Sequence, residues 1–245
     1  PLTSNHQGLT MRRILLIFLL FSFHGHGFEK KLQVAVNLGA PWAYFDEEQG
    51  ITGIDVEIIR QVTHKMGYEA EFHLLAYNRL IKEFNEGKYD IASPAAFNAD
   101  RGYTTSTYLP FEDVAISLKE ANLQVKMIND LADKSVIAYQ SATTVLGPDF
   151  ALAVKHTDYL ELVDRNVQLK LLINHKTDIV IGERRLLSYT KNALFPDTDI
   201  SVHSIFTSQD YGAITQDETL QQAFDIALDS MRTSGEYARI LASWP

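Results

Sequence analysis

The chain has 245 residues and no cysteine. That excludes a disulfide framework, a thiolate metal site and a cysteine nucleophile. It also lacks any block of five or more basic residues, and its formal net charge is −9. Both features argue against nucleic acid and anionic membrane surfaces as partners. No G-x-S-x-G elbow, phosphate-cradling P-loop or G-x-G-x-x-G turn is present. The histidines after residue 27 (His64, His73, His156, His175 and His203) lack metal-site spacing. They read as surface or satisfied core groups, and no metal or cofactor is expected. Internal repeats and low-complexity segments are absent. The one N-terminal apolar run, of ten residues, is too short to span a bilayer comfortably, and no second run of membrane length exists.

That N-terminal run has the pattern of an export signal. Met11-Arg12-Arg13 is a positive start, residues 14–23 are apolar, and His24-Gly25-His26-Gly27 follows with small residues at a cleavable place. Residues 1–10 precede the expected start methionine. Cleavage near Gly27 removes two arginines and no acids, which takes the net charge from −9 to −11. With no cysteine after the run there is no lipid attachment point. A soluble, exported protein is expected.

What remains is 46% hydrophobic over the whole chain, enough for one large or two small globular units. Residues 32–36 alternate and predict a first strand. A loop with Pro41, Trp42, Tyr44 and Phe45 follows. Ile54, Ile58, Val62 and Met66 recur at fours, with Ile59 alongside, and predict a helix with Asp55 as N-cap and Gly67 as its end. Strands are predicted at 69–75, 114–118, 135–139, 178–182 and 210–215. Helices are predicted from Asn78 to Gly87, over 164–174, and over 218–241 with a break near Gly235. Strands alternating with helices imply an α/β fold with mostly parallel sheets. Ligands in such folds gather beyond the carboxyl ends of strands. Polar residues at those ends are Asn37, the stretch 93–101, the stretch 140–144 and Glu183.

The stretch 87–101 carries the most chemistry. Gly87 closes a helix, residues 89–92 form a short buried strand, and Asn98 is read as the N-cap of a new helix carrying Arg101. Unpaired backbone N–H groups beside a guanidinium suit a carboxylate. Glu183 has a second reading as a partner of Arg184 or Arg185, and Thr143 and Thr144 a second reading as plain helix caps.

Four pieces of the chain, in order, resemble one family. Gly53-Ile54-Asp55-Val56-Glu57-Ile58 is similar to its G-F-D-V-D-L. Gly87-Lys88-Tyr89-Asp90 with Arg101 is similar to its G-K-x-D…T-x-x-R. Asp133-Lys134-Ser135-Val136 with Gln140-Ser141-Ala142-Thr143-Thr144 is similar to its G-K-x-V-x-V-Q-x-G-T-T. Gly235-Glu236-Tyr237 with Trp244 is similar to its terminal G-x-Y…W. The family is the periplasmic amino-acid-binding proteins of ABC importers (bacterial extracellular solute-binding proteins, family 3), which includes histidine and lysine/arginine/ornithine binders.

The resemblance implies two α/β lobes joined by a two-strand hinge and closing on a ligand. The first lobe would hold residues 28–112 with 208–245, and the second 113–207. Arg101 matches the arginine that takes the ligand carboxylate, and Glu183 the acid that takes its ammonium. Thr143 matches a further carboxylate contact, and Tyr77 an aromatic that packs on the ligand side chain. Trp42 or Tyr44 would form the opposing wall. Ala95 and Ala96 stand where hydroxyls are usual and Asn98 where a threonine is common, so backbone N–H groups, as at Ala96, must do more. The implied function is capture of an amino acid or related small carboxylate in the periplasm by a monomer that delivers it to an inner-membrane ABC permease, without catalysis. Two alternatives from the same cleft are a periplasmic enzyme of the cyclohexadienyl dehydratase type and a ligand-sensing module for a separate membrane receptor.

Overall fold

The computed structural model describes residues 30–97 and 99–244. The expected signal segment and Asn98 lie outside the described residues. The strands are β1 (Lys31–Asn37), β2 (Tyr44–Asp46), β3 (Gly50–Thr52), β4 (Glu69–Leu75), β5 (Ile91–Ser93), β6 (Tyr103–Thr104), β7 (Leu109–Phe111), β8 (Asp113–Leu118), β9 (Val136–Ala138), β10 (Tyr159–Glu161), β11 (Ile179–Glu183), β12 (Ile200–His203), β13 (Gln209–Tyr211) and β14 (Ile214–Thr215). The helices are α1 (Ile54–Lys65), α2 (Tyr77–Asn85), α3 (Ala142–Val145), α4 (Pro148–Ala153), α5 (Arg165–Ile173), α6 (Arg184–Leu194), α7 (Glu218–Thr233) and α8 (Glu236–Ser243).

Two five-stranded sheets divide these strands, in the orders β4-β1-β5-β14-β6 and β10-β9-β11-β8-β12. Between them in sequence, β7 and β13 pair antiparallel as a two-stranded ribbon. The sheets are mixed rather than mostly parallel. In the first, β1 is parallel to β4 and β5, whereas β14 is antiparallel to β5 and β6. In the second, β9 is parallel to β10 and β11, whereas β8 is antiparallel to β11 and β12. The reversed strands β8 and β14 follow directly on the ribbon strands β7 and β13, where the chain enters a lobe from its neighbour.

The strongest periodicities become the core. Ile54, Ile58, Ile59 and Val62 are fully buried on α1, against Leu32, Val34 and Val36 of β1. Truncating any one of them to Ala would cost about 2–5 kcal/mol. The cap of α1 differs from expectation. Ile54 N donates to Pro41 O and Asp55 N to Trp42 O, so loop carbonyls take the first helical N–H groups. Gly53 is the N-cap, at φ 133, where an added Cβ would lie 2.3 Å from Trp42 O. Asp55 is instead a buried acid inside the first turn, accepting from the Tyr108 hydroxyl at 2.8 Å. Similarly, α2 is capped by Ala76 rather than Asn78. The helix expected after residue 98 does not form: Gly102, at φ 108, turns the chain into β6. The break at Gly235 is present, with φ 77 between α7 and α8.

Candidate ligand-binding cleft

The carboxyl ends of the parallel strands of the two lobes face each other. In the first lobe these ends lead into residues 38–43, Tyr77 and residues 94–97; in the second, into residues 139–143, 162–165 and Glu183. Asp113 sits at the same edge, opposite Glu183 in register. Direct contact fixes the juxtaposition. The Trp42 indole Nε1 donates to Glu183 Oε2 at 3.1 Å, and Leu186 of α6 packs on the first lobe's core.

Trp42 is only 5% exposed and stacks on Phe111 of the ribbon at 4.7 Å, with rings 15° apart. Tyr44 lies between Tyr189 of α6, at 5.8 Å, and Trp244, edge-on at 6.2 Å. Both expected wall aromatics are thus built into the seam between the lobes.

Glu183 is the N-cap of α6. Oε1 accepts from Arg185 N at 3.1 Å, and Oε2 from Leu186 N at 2.8 Å as well as from the indole. Burial pushes its carboxyl above the ordinary range, and these hydrogen bonds work against that push. A carboxylate offers about four acceptor positions. Three are filled, and the open one is on Oε1. Of the two arginines in the other reading of Glu183, Arg184 pairs instead with Glu112 at 2.6 and 3.0 Å, and Arg185 Nη1 donates to Leu241 O at 3.4 Å.

Thr143 lies at the cleft edge of the second lobe, but a carboxylate of the protein already occupies it. Glu161 accepts from Thr143 N and Oγ1 at 3.3 Å, from Ser141 N at 2.7 Å and from the Tyr159 hydroxyl at 2.8 Å. Burial raises the Glu161 pKa, and those donors together outweigh it, so the net shift is downward. Nearby, the Tyr139 hydroxyl donates to Asp113 Oδ2 at 3.1 Å, and burial holds Asp113 above the usual range. Arg165, partly exposed at the start of α5 with its Nε buried, completes this edge; burial lowers its pKa against the attraction of Glu183 and Asp113.

On the first lobe, Tyr77 is half-buried and edge-on to Phe97 at 6.1 Å. Its buried hydroxyl makes no well-formed hydrogen bond; burial pushes its pKa up to about 12, outweighing the Ala96 backbone beside it, which lowers it. Ala95, Ala96 and Phe97 line a hollow of about 470 Å³ with Thr104, Thr107 and residues 209–212. A second hollow, of about 390 Å³, lies against Phe111, Asp113 and Leu146 and shares Gln209 and Tyr211 with the first. A larger one, of about 550 Å³, opens around Leu118, Ile173 and Asp199, at the opposite end of β8 from Asp113, and holds none of these residues.

Arg101 is not at this cleft. Its Nε donates to Gln216 Oε1 at 2.7 Å, and its guanidinium lies over Gly87, 3.1 Å from where a Cβ would be. Gly87 follows the far end of α2, and Gln216 N bonds Asp90 O at the amino end of β5. Without a helix after residue 98, nothing carries the guanidinium to the carboxyl edge. Asp113, Tyr139, Glu161 and Arg165 were absent from the sequence-based set. The one local signal for Arg165 was its place at the start of a helix capped by Asp164.

Among the described residues, no group of His, Cys, Asp or Glu is arranged to hold a metal ion, and no helix is long and apolar enough to cross a membrane.

The family model of bacterial extracellular solute-binding proteins, family 3, matches residues 32–245. The chain belongs to that family. This family 3 protein is 24% identical over 213 residues to a probable amino-acid ABC transporter-binding protein of Haemophilus influenzae, covering 84% of this chain and 80% of that one. It is 24% identical over 214 residues to a probable histidine-binding protein of Neisseria gonorrhoeae, covering 84% and 79%. Among solved structures it is similar to an ancestral cationic amino acid solute-binding protein, with a TM-score of 0.73 and 15% identity, over 87% of this chain and 95% of that one. The two-lobe binding-protein fold is common to both.

Proposed function

We propose that this family 3 protein captures a small carboxylate-bearing ligand, an amino acid in the simplest case, between its two lobes and presents it to an inner-membrane ABC permease. It would do so in the periplasm, as a monomer freed of its signal segment, and would release the ligand unchanged. The units that close are residues 28–112 with 208–245, and residues 113–207. The paired ribbon β7–β13 acts as the hinge.

The Trp42–Glu183 contact carries this reading, because it brings the ligand-side edges of both lobes together in one arrangement. Closure follows from differential contact: a ligand that touches both lobes favours the form in which both are within reach. On the first lobe, the hydroxyl of Tyr77 and the backbone at Ala96 supply polar contacts. On the second, the remaining Oε1 position of Glu183 receives an ammonium, and Thr143, its N–H and hydroxyl taken by Glu161, borders the ligand. The relatives named for amino acids and histidine support the ligand class.

A thermal-shift panel of the twenty L-amino acids on purified protein tests this. A ligand at 100 times its dissociation constant adds about 2.7 kcal/mol of stability. One or a few members should raise the melting temperature, and a flat panel would remove the amino-acid reading.

A further inference from the structure

Arg165 is held at the first position of α5 by Asp164, whose Oδ1 accepts from Asn166 N at 2.8 Å and Val167 N at 3.2 Å. Its own Nε is buried and has no hydrogen-bond partner, and among the described residues no acid forms an ion pair with it. Neither of the two acids that attract it bonds it. Asp113 accepts from Tyr139, while Glu183 accepts from Trp42 and from two backbone N–H groups. A buried N–H left without a partner is costly and needs an explanation.

The two places where a ligand carboxylate was expected are closed to it. Thr143 is bonded to Glu161, and Arg101 to Gln216 at the other end of the first lobe. We propose that Arg165, from the second lobe, takes the anionic group of the cleft ligand. The proposal rests on reading the cleft as a site for a small carboxylate. A planar fork suits a carboxylate through two parallel hydrogen bonds, which lysine cannot reproduce. Both charged grips, Arg165 and Glu183, then belong to one lobe. The ligand would dock there first, and the first lobe would close over it with Trp42 and Tyr77.

The test is isothermal titration of purified protein with each L-amino acid and with its uncharged amide. Wild type should bind at least one acid, and its amide at least 30-fold more weakly. Arg165→Met should weaken the acid by 30-fold or more, change the amide by less than 3-fold, and melt no lower than wild type without ligand. Arg165→Lys should recover part of the loss. If Arg165→Met fails to fold, Arg165→Lys and Arg165→Gln carry the same acid-against-amide comparison. Undiminished acid binding in Arg165→Met, or equal weakening of acid and amide, overturns the assignment while leaving the carboxylate cleft standing. Binding of no acid by wild type removes both.

Discussion

The Trp42 indole N–H, carried by the first lobe, donates to Glu183 Oε2, carried by the second, at 3.1 Å, and both side chains are 5% exposed. A loop aromatic and a strand-end acid, 141 residues apart in sequence, thus meet across the cleft. The same carboxylate caps α6, so it ties the lobe–lobe contact to a helix start.

Trp42→Phe removes the donor and keeps an aromatic over Phe111. A buried acceptor stripped of its partner costs about 1–3 kcal/mol. The contact exists only when the lobes are together, so the cost falls on that form. Ligand affinity in the variant should drop roughly 5- to 150-fold by the same conversion, as read by titration calorimetry. Unchanged affinity would mean the seam contributes nothing to closure.

Glu183→Ala loses the cap and the indole partner at once. A lost N-cap costs about 0.5–2 kcal/mol. Glu183→Gln keeps one acceptor oxygen and loses the burial cost of a charge, so it should be less damaging. Urea unfolding should rank wild type, Gln, then Ala. Equal loss in the two variants would argue against the capping role.

Asp55 makes stability depend on pH. Burial raises its pKa from 3.8 to about 6, against hydrogen bonds from Ser93 and Tyr108 that lower it. The folded state therefore holds this proton more tightly than the unfolded state. The group's contribution is present below about pH 4 and is lost as pH rises through about 6. The loss is about 3 kcal/mol. Asp55→Asn does not titrate and still accepts from Tyr108. Between pH 4 and 7.5 wild type should lose stability that the variant keeps, as measured by urea unfolding at both values. Parallel pH profiles would contradict this.

The sequence shows α1 and β4 clearly, because their apolar spacing is strong and uninterrupted. It does not show α6, in which only Leu187 is fully buried, so no stripe announces the helix. All four strand-end stretches read from periodicity lead to the cleft edge, the stretch 93–101 only as far as Phe97. The placement of Arg101 away from the cleft comes from a single turn: Asn98 suggested a helix start, and Gly102 bends the chain into a strand instead. Arg165 was out of reach because its environment is long-range. The acids that attract it lie 52 residues before and 18 residues after it in the chain. The engagement of Thr143 by Glu161 depends in the same way on two strands pairing side by side.

The chain has two tryptophans, and Trp42 is the one at the seam. In Trp244→Phe protein the fluorescence of Trp42 alone reports on the cleft. Titrating that protein with the amino acid that most stabilises wild type should give a saturable spectral shift, with the dissociation constant found by calorimetry. Calorimetric binding with a Trp42 signal that stays flat through saturation would contradict closure of the two lobes around the ligand.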